Sequence, residues 1–244
     1  MKIEMGESLF FSWLRHIKHC QLVQKNWKVS KFWEWYQEDQ VNKLHAKIEQ
    51  HFLEKYDYHL FKQNSSANQI LKQGECGLLG LAFNQEGTEL YAVDVAFHEA
   101  GLNYGRRQVS VMKVIAKMAR TALCLVNYIN YQRARVIFAS PKIGKNIMSD
   151  LEPCIKDLNE IFKSEGIDIE CQVIANADFY QEILAPTVAE SFEVADTSEL
   201  FLRSYQMLRM FFELDFEQQS LSVKGDPKTA LEGSNTQDAT LSHE

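Results

Sequence analysis

The hydrophobic pattern of this 244-residue chain predicts an α/β fold in which helices flank a mixed central sheet. Segments with helical periodicity alternate with short β-prone runs in the order helix, helix, strand, strand, helix, strand, helix, strand, helix. The composition, 45% hydrophobic and 24% charged, is typical of a globular protein. The length is enough for one large core, so we expect a single domain.

The chain begins with two predicted amphipathic helices, over residues 5–20 and 39–55. In the first, Leu9, Trp13 and Ile17 recur at helical spacing. Between the two helices, residues 21–36 are rich in tryptophan, phenylalanine and tyrosine. Aromatic side chains bury large apolar areas, so packing is the favoured role for this segment, with base stacking as the alternative.

A β-hairpin is predicted next, because two apolar runs, Cys76–Phe83 and Leu90–Phe97, flank the turn-forming Asn84–Gly87. A basic helix over 106–130 and the strand Arg135–Ser140 follow, and Pro141 ends that strand. The remaining expected elements are a helix over 150–165, a strand over 167–175, a short helix over 177–184 and a final helix over 197–214.

The domain organisation follows from where the apolar pattern stops. We expect one α/β domain over residues 1–216, with its core at about 5–185 and the final helix at its end. Residues 217–244 have no aromatic and few aliphatic side chains. Such a segment cannot bury enough apolar surface to offset the entropy of ordering, so it is predicted to be a disordered tail.

Composition also narrows the cellular setting. No apolar run is long enough to span a bilayer, so no membrane role is expected. The N-terminus lacks the basic start and small-residue cleavage site of a signal peptide. The five cysteines contain no CxxC pair, which argues against disulfides and a structural zinc site. These features predict a cytoplasmic protein.

The run from Leu90 to Gly105 carries the main chemical signal. Side chains alternate along a strand, which puts Asp94 and His98 on one face, separated only by Ala96. The opposite face is apolar and is expected to be the core. A carboxylate in a buried strand is costly unless it is paired, hydrogen-bonded or bound to a metal. If the hairpin register aligns, Glu75 converges on Asp94, and two carboxylates suit Mg²⁺ and phosphodiester chemistry.

Positive charge is concentrated after this strand, although the whole chain has a net charge of −7. Residues 101–149 contain no Asp or Glu. Lys113, Lys117 and Arg120 recur at helical spacing and are expected to form a stripe facing away from the core. With Arg106 and Arg107 this stripe predicts a nucleic-acid backbone contact; a solvated helix face is the alternative.

The order helix, acid-bearing hairpin, helix, strand resembles the PD-(D/E)XK nuclease superfamily, the restriction-endonuclease-like fold, over roughly residues 5–140. Glu7 matches the acid of the early helix, and Glu75-Cys76-Gly77 looks like the first motif strand. Asp94-Val95-Ala96 stands at the (D/E)-x-K position. The resemblance implies a restriction-endonuclease-like core and an Mg²⁺ ion held by Glu75 and Asp94.

This chain departs from the family at two positions. Gly77 stands where the family usually has an Asp, and Ala96 stands where it has the catalytic Lys. Members of the superfamily relocate the Lys, so Lys113 or Lys117 on the following helix are candidates, as is Lys72 before the first strand. The catalytic set implied by the resemblance is Asp94, Glu75, His98 and Lys113, with His98 as a base or ligand.

Three functions follow from these observations. The first is a metal-dependent nuclease, or nuclease-fold DNA-binding protein, in DNA maintenance or defence. The second is a catalytically inactive protein on the same fold, which binds nucleic acid, a protein partner or a second copy through the aromatic segment and the final helix. The third is a small-molecule enzyme using His98 and Glu99 as acid and base, for which no cofactor motif is present.

Overall fold

The computed structural model describes residues 5–34, 37–61, 66–85, 87–195 and 197–223, with side chains described as far as Phe211 in the last helix. Trp35 and Tyr36 of the aromatic segment, and residues 224–244 of the expected tail, lie outside the described residues. Contact analysis divides the chain into two units, Met1–Arg203 and Ser204–Glu244.

The first unit alternates helices and strands. Its helices are α1 Met5–His16, α2 Glu38–Tyr56, α3 Ala67–Lys72, α4 Arg107–Tyr128, α5 Lys145–Ser164, α6 Asn176–Asp178 and α7 Ala185–Glu190, and a π-helical segment, Phe179–Leu184, joins the last two. Its strands are β1 Leu22–Lys28, β2 Glu75–Asn84, β3 Gly87–Val95, β4 Arg133–Ser140 and β5 Ile169–Ala175. Helix α8, Leu200–Val223, begins at the end of this unit.

The five strands form one mixed sheet in the order β1-β2-β3-β4-β5. Neighbouring strands from β1 to β3 run antiparallel, and β3, β4 and β5 run parallel. The predicted class, a mixed sheet flanked by helices, is therefore confirmed. The parallel pairs need helical crossovers, and α4 and α5 supply them.

Helices cover both faces of the sheet, so the protein has two apolar clusters. One cluster joins α2, α4 and α5 to one face, and the other joins α1 and the π-helical segment to the opposite face. In β3, Leu90 and Ala92 belong to the first cluster, while Tyr91 and Val93 belong to the second. The expectation that only one face of this strand is core is wrong, because each face has its own helical layer.

The strand expected to continue to His98 ends three residues earlier, at Val95. Phe97 is consequently 55% exposed instead of lying in the core. His98 is exposed on the segment after the strand, so the predicted shared face with Asp94 does not exist. The chain leaves the sheet here because it must turn through Gly101, whose φ is 92°, towards the start of α4.

Two elements were absent from the sequence-based expectation. Strand β1 lies within the aromatic segment, where only Trp27 of the strand is buried, so no alternating pattern marks it. Its pairing with β2, from Leu22↔Leu81 to Lys28↔Glu75, determines its conformation. Helix α3 follows the polar Ser66, which caps its N-terminus and forms a capping box with Gln69.

Several boundaries also differ from the expected ones. Helix α1 ends at His16, α5 begins at Lys145, and α8 begins at Leu200. The Thr197 hydroxyl accepts a hydrogen bond from the Glu199 backbone N–H, just before α8. Helix α8 continues to Val223, past Glu217, where the tail was expected to begin. Within the described residues, no helix combines the length and apolarity that crossing a membrane requires.

A buried carboxylate joins α2 to α5. Asp157 is 6% exposed. Its carboxylate accepts hydrogen bonds from Lys55 Nζ at 2.7–2.8 Å and from the Tyr56 hydroxyl at 2.6 Å. His51 Nε2 lies 3.0 Å from Oδ2. Burial alone would raise the pKa of Asp157, but the contacts with His51, Lys55 and Tyr56 outweigh it and lower that pKa.

We expect Asp157→Asn to lower the free energy of unfolding by about 1–3 kcal/mol at pH 7, because it removes charge-assisted hydrogen bonds from a buried site. The folded-state pKa is depressed, so the stabilisation is present above the unfolded pKa of about 4 and is lost as pH falls through the folded pKa. Urea unfolding of both proteins across pH 3–7 measures this.

The matched control is Asp168→Asn, which removes a carboxylate that is 58% exposed and lies 3.4 Å from Arg133. It should change the free energy of unfolding by less than about 0.5 kcal/mol. If the difference between wild type and Asp157→Asn stays constant down to pH 3, this account of the cluster is wrong.

Candidate active site

The strands β2 and β3 separate at one end, and Asp94 lies at the point of separation. Their backbone pairing runs from Asn84↔Gly87 to Leu78↔Val93. At the next position, the Gly77 N–H donates to the Asp94 carboxylate Oδ1 at 3.2 Å. On its other side Asp94 remains paired with β4, opposite Phe138. The pairing of β2 with β3 does not extend to Gly77, so its N–H donates to the Asp94 side chain instead.

Helix α4 supplies the countercharge. Lys117 Nζ lies 2.9 Å from Asp94 Oδ1, in an ion pair between a side chain that is 41% exposed and one that is 8% exposed. The expectation that Lys117 faces away from the core is therefore wrong, and its contact with nucleic-acid phosphates stays a prediction. The reason is that α4 packs across the sheet, so position 117 stands over the end of β3, where Asp94 attracts the ammonium.

For both Asp94 and Lys117, burial and the ion pair shift the pKa in opposite directions. Burial raises the pKa of Asp94 above its ordinary value, and the Lys117 ammonium and the Gly77 N–H oppose that rise without cancelling it. Burial lowers the pKa of Lys117, but the attraction of Asp94 outweighs it and the net pKa is raised. At neutral pH, Lys117 is therefore held as a cation beside a carboxylate that is poorly hydrated.

Helix α1 brings a second carboxylate to the same place. Gly6 packs so closely on β3 that a Cβ there would lie 2.7 Å from Val95 Cγ1. This approach places the Glu7 carboxylate over Gly77, where Oε1 would lie 3.1 Å from an added Cβ. Gly6 is needed for the close approach to Val95, and Gly77 leaves room for the Glu7 carboxylate, so that both Glu7 and Asp94 lie next to Gly77.

The third carboxylate, Glu75, lies at the rim. It is exposed, and its Oε2 is 3.5 Å from Lys28 Nζ. A cleft of about 280 Å³ contains all three acids, with Lys117 and the backbone of Gly77 between them. The Glu75 charge also raises the pKa of Asp94, after the larger effects of burial, Lys117 and Gly77. The predicted convergence of Glu75 and Asp94 is thus present as a shared cleft.

Two of the proposed catalytic residues lie outside this cleft. The His98 ring meets the Tyr104 ring edge-on, with centroids 6.2 Å apart. Lys113 Nζ donates to the Tyr104 backbone oxygen at 3.2 Å. Neither side chain lines the cleft that holds Asp94. Glu99 is exposed beyond the strand, and Lys72 is exposed at the end of α3.

The remaining basic candidates are dispersed. Arg107 forms a bidentate ion pair with Asp150 of α5, so its charge is already compensated. Arg106 is exposed just before α4. Arg120 is half-buried, and its Nε is buried without a hydrogen-bond partner among the described residues. Of the stripe expected on α4, Lys113 is exposed, whereas Lys117 and Arg120 are half-buried.

The donor set is compatible with a magnesium ion that is shared with a substrate. Among the described residues, no group of three or more His, Cys, Asp or Glu side chains is arranged to hold a metal by itself. Mg²⁺ is usually bound through one or two carboxylates plus waters and substrate phosphates. Glu7 and Asp94, with Glu75 at the rim, supply hard oxygen donors of that kind.

Sequence reasoning named Glu7, Glu75, Asp94 and Lys117 and expected Glu75 to converge on Asp94, but it placed Lys113 in the catalytic set. Helical spacing treats Lys113 and Lys117 alike, since both lie on the same side of α4. The usable signal was Gly77, because a glycine inside a buried strand marks a close approach by another group. Comparisons with protein-family models, curated proteins and solved structures found no match to this chain.

We expect Lys117→Met to lower the free energy of unfolding by about 1–3 kcal/mol near pH 7, because Asp94 is left buried with no countercharge. Without Lys117 the pKa of Asp94 rises further. A raised carboxyl pKa favours folding below the unfolded pKa and loses that benefit as pH rises through the folded pKa. The deficit should therefore shrink towards pH 4, as measured by urea unfolding.

The matched control is Lys113→Met, at the exposed lysine one turn earlier on the same helix. It should stay within about 0.5 kcal/mol of wild type. A Lys117→Met deficit that grows on acidification would contradict the assigned ion pair.

Proposed function

We propose that this chain is a divergent metal-dependent nuclease of the restriction-endonuclease-like, PD-(D/E)XK type, acting in DNA maintenance or defence, with its lysine supplied by helix α4. The observation that carries the proposal is the contact of 2.9 Å between Lys117 Nζ and Asp94 Oδ1. It supplies an acid and a lysine together, although Ala96 replaces the lysine on the strand itself.

The chain order supports the same proposal. A helix bearing Glu7 precedes an antiparallel hairpin, and the hairpin is followed by α4 and by β4 parallel to β3. That is the order on which the resemblance to the PD-(D/E)XK superfamily rests. The acids and the lysine meet where β2 and β3 separate, at the end of the sheet. The three acids and the lysine come from four elements, α1, β2, β3 and α4, and line one cleft.

Each residue has a role that its position suits. Asp94 and Glu7 would hold the magnesium ion, with Glu75 completing its surroundings from the rim. Bound Mg²⁺ lowers the pKa of water and stabilises charge on a phosphodiester. Lys117, kept cationic by Asp94, orients the attacking water and stabilises the negative charge that develops on the phosphate. Because Lys117 is 41% exposed, its ammonium is accessible to a phosphate entering the cleft.

Nucleic acid is the proposed substrate because cations surround an acidic site. Lys28 lines the cleft, and Lys117 with Arg120 lines the groove next to it. Local positive charge of this kind binds a phosphate backbone even when the whole chain is acidic.

A second candidate is a catalytically inactive member of the same fold that binds a protein partner or a second copy. It is favoured by the second unit, in which α8 exposes Met207, Leu208, Met210 and Phe211. Exposed apolar side chains clustered on one helix mark interaction surfaces. On this hypothesis, the pair Asp94–Lys117 only stabilises the fold.

We expect the purified protein to cleave plasmid, single-stranded DNA or RNA in the presence of Mg²⁺ or Mn²⁺. Asp94→Asn and Lys117→Ala should each reduce the cleavage rate by about 100-fold or more, the loss typical of removing a group that stabilises the transition state. Rates are followed by gel electrophoresis of labelled substrates.

Lys156→Ala is the control, since it removes a lysine that is 78% exposed on α5 and lies outside the cleft. It should keep the cleavage rate within a few-fold of wild type. Cleavage that persists unchanged in Asp94→Asn would contradict the proposed site. Absence of cleavage, together with self-association that Leu208→Glu abolishes in light scattering, would favour the second candidate.

A further inference from the structure

We infer that a groove beside the active site receives the base of an unpaired nucleotide, so that the substrate is single-stranded or locally unpaired nucleic acid. This inference rests on the proposed nuclease function and specifies its substrate. The groove has a volume of about 480 Å³, within the range of pockets that bind small molecules. It lies between α4, α3 and the segment that follows α2.

The floor of the groove is apolar. Ile70, Met112 and Phe138 line it, and they are 2%, 3% and 1% exposed. Ala116 also lines the groove and is half-buried, so its small side chain leaves space above this floor. A planar, weakly polar group can enter such a space without stranding a charge.

The sides of the groove carry aromatic rings. Tyr58 and Tyr104 line it and are half-buried, so part of each side chain remains accessible. Phe61 also lines it, but its ring is already stacked on His45, with centroids 4.9 Å apart. Stacking of bases on aromatic side chains is the usual basis of single-strand binding. Tyr58 is therefore available to contact a base, whereas the Tyr104 ring already meets that of His98 edge-on.

The rim carries positive charge. Lys113, Lys117 and Arg120 all line the groove from successive turns of α4. The Arg120 Nε is buried and has no hydrogen-bond partner among the residues that the structure describes. A buried donor of this kind is satisfied when a ligand supplies an acceptor. An apolar floor beneath a cationic rim matches a nucleotide, whose base is apolar on its faces and whose phosphate is anionic.

The groove is continuous with the active site. Glu75 and Lys117 line both the groove and the cleft that holds Asp94. A strand with one phosphate at the ion pair of Lys117 and Asp94 can therefore place a neighbouring base in the groove. A base in a duplex is stacked and paired, and it enters a pocket only after being flipped out at a cost of a few kcal/mol. The groove thus favours unpaired substrate.

The experiment measures binding by the full chain in EDTA, so that no cleavage occurs. The probes are fluorescein-labelled strands of about 12 nucleotides, as single-stranded DNA, as single-stranded RNA of the same sequence and as the blunt DNA duplex, read by fluorescence anisotropy. We expect at least one single strand to bind about 10-fold or more tightly than the duplex, and the DNA and RNA arms identify which sugar is preferred.

A bulky side chain that fills the groove tests whether the base binds there. Ala116→Phe should weaken single-strand binding by about 5- to 100-fold, the loss expected when one base no longer stacks, and should leave duplex binding unchanged. Lys113→Ala, at an exposed position that carries no folding risk, should reduce the slope of log K against log salt by about 0.7. Lys156→Ala, at a lysine that is 78% exposed on α5, is the control and should change neither quantity.

Equal affinity for single strands and duplex, or single-strand binding that both Ala116→Phe and Lys113→Ala leave unchanged, would overturn the inference. Its failure is distinguishable from failure of the nuclease proposal. If the protein cleaves duplex in a manner that depends on Asp94 but shows no preference for single strands, the groove inference is wrong and the nuclease proposal stands. If single strands bind with the expected variant effects but no cleavage occurs, the groove inference is supported and only the proposed catalytic activity is wrong.

Discussion

The ion pair between Asp94 and Lys117 is the constraint on which the arrangement of the site depends. A carboxylate that is 6% exposed at the end of β3 needs donors, and it obtains them from the Gly77 N–H and the Lys117 ammonium. Because the Gly77 N–H donates to the Asp94 side chain and not to the backbone of β3, that side chain sets the distance between the ends of β2 and β3. The second ties the α4 side chain at position 117 to the end of β3. The cleft between β2, β3 and α4 is the geometric result of satisfying one buried acid.

Close packing by glycines completes that geometry. Gly6 lets α1 approach Val95, and Gly77 leaves room for the Glu7 carboxylate beside Asp94. A side chain at position 6 would force α1 or Val95 to shift, and one at position 77 would crowd the Glu7 carboxylate. The second carboxylate therefore reaches the site through the tight contact between helix and strand, with no need for a loop. Elements of regular structure hold every group of the cleft, with Glu75 at the first residue of β2.

Charge and apolar surface are separated over a short distance in this region. The three acids lie in one cleft, while cations from α4 line the adjoining groove above an apolar floor. On the proposed function, this juxtaposition explains how an acidic chain would bind a polyanion. It also relates the proposed reaction to the proposed substrate, because the two share Lys117 and Glu75. The apolar surface of α8 is a separate feature of the second unit.

The sequence by itself determined the fold class, the positions of the long helices and the hairpin, and Asp94 as a buried acid, because periodicity and burial cost are local properties of the chain. It did not mark β1 or α3, since β1 is mostly exposed and α3 is short and begins in a polar stretch. Only the tertiary structure decided that Lys117 reaches Asp94 and Lys113 does not. Two lysines four residues apart are equivalent in a helical pattern, and the angle at which α4 crosses the sheet distinguishes them. His98 was assigned to the site by assuming that β3 continued, whereas the turn towards α4 ends the strand at Val95.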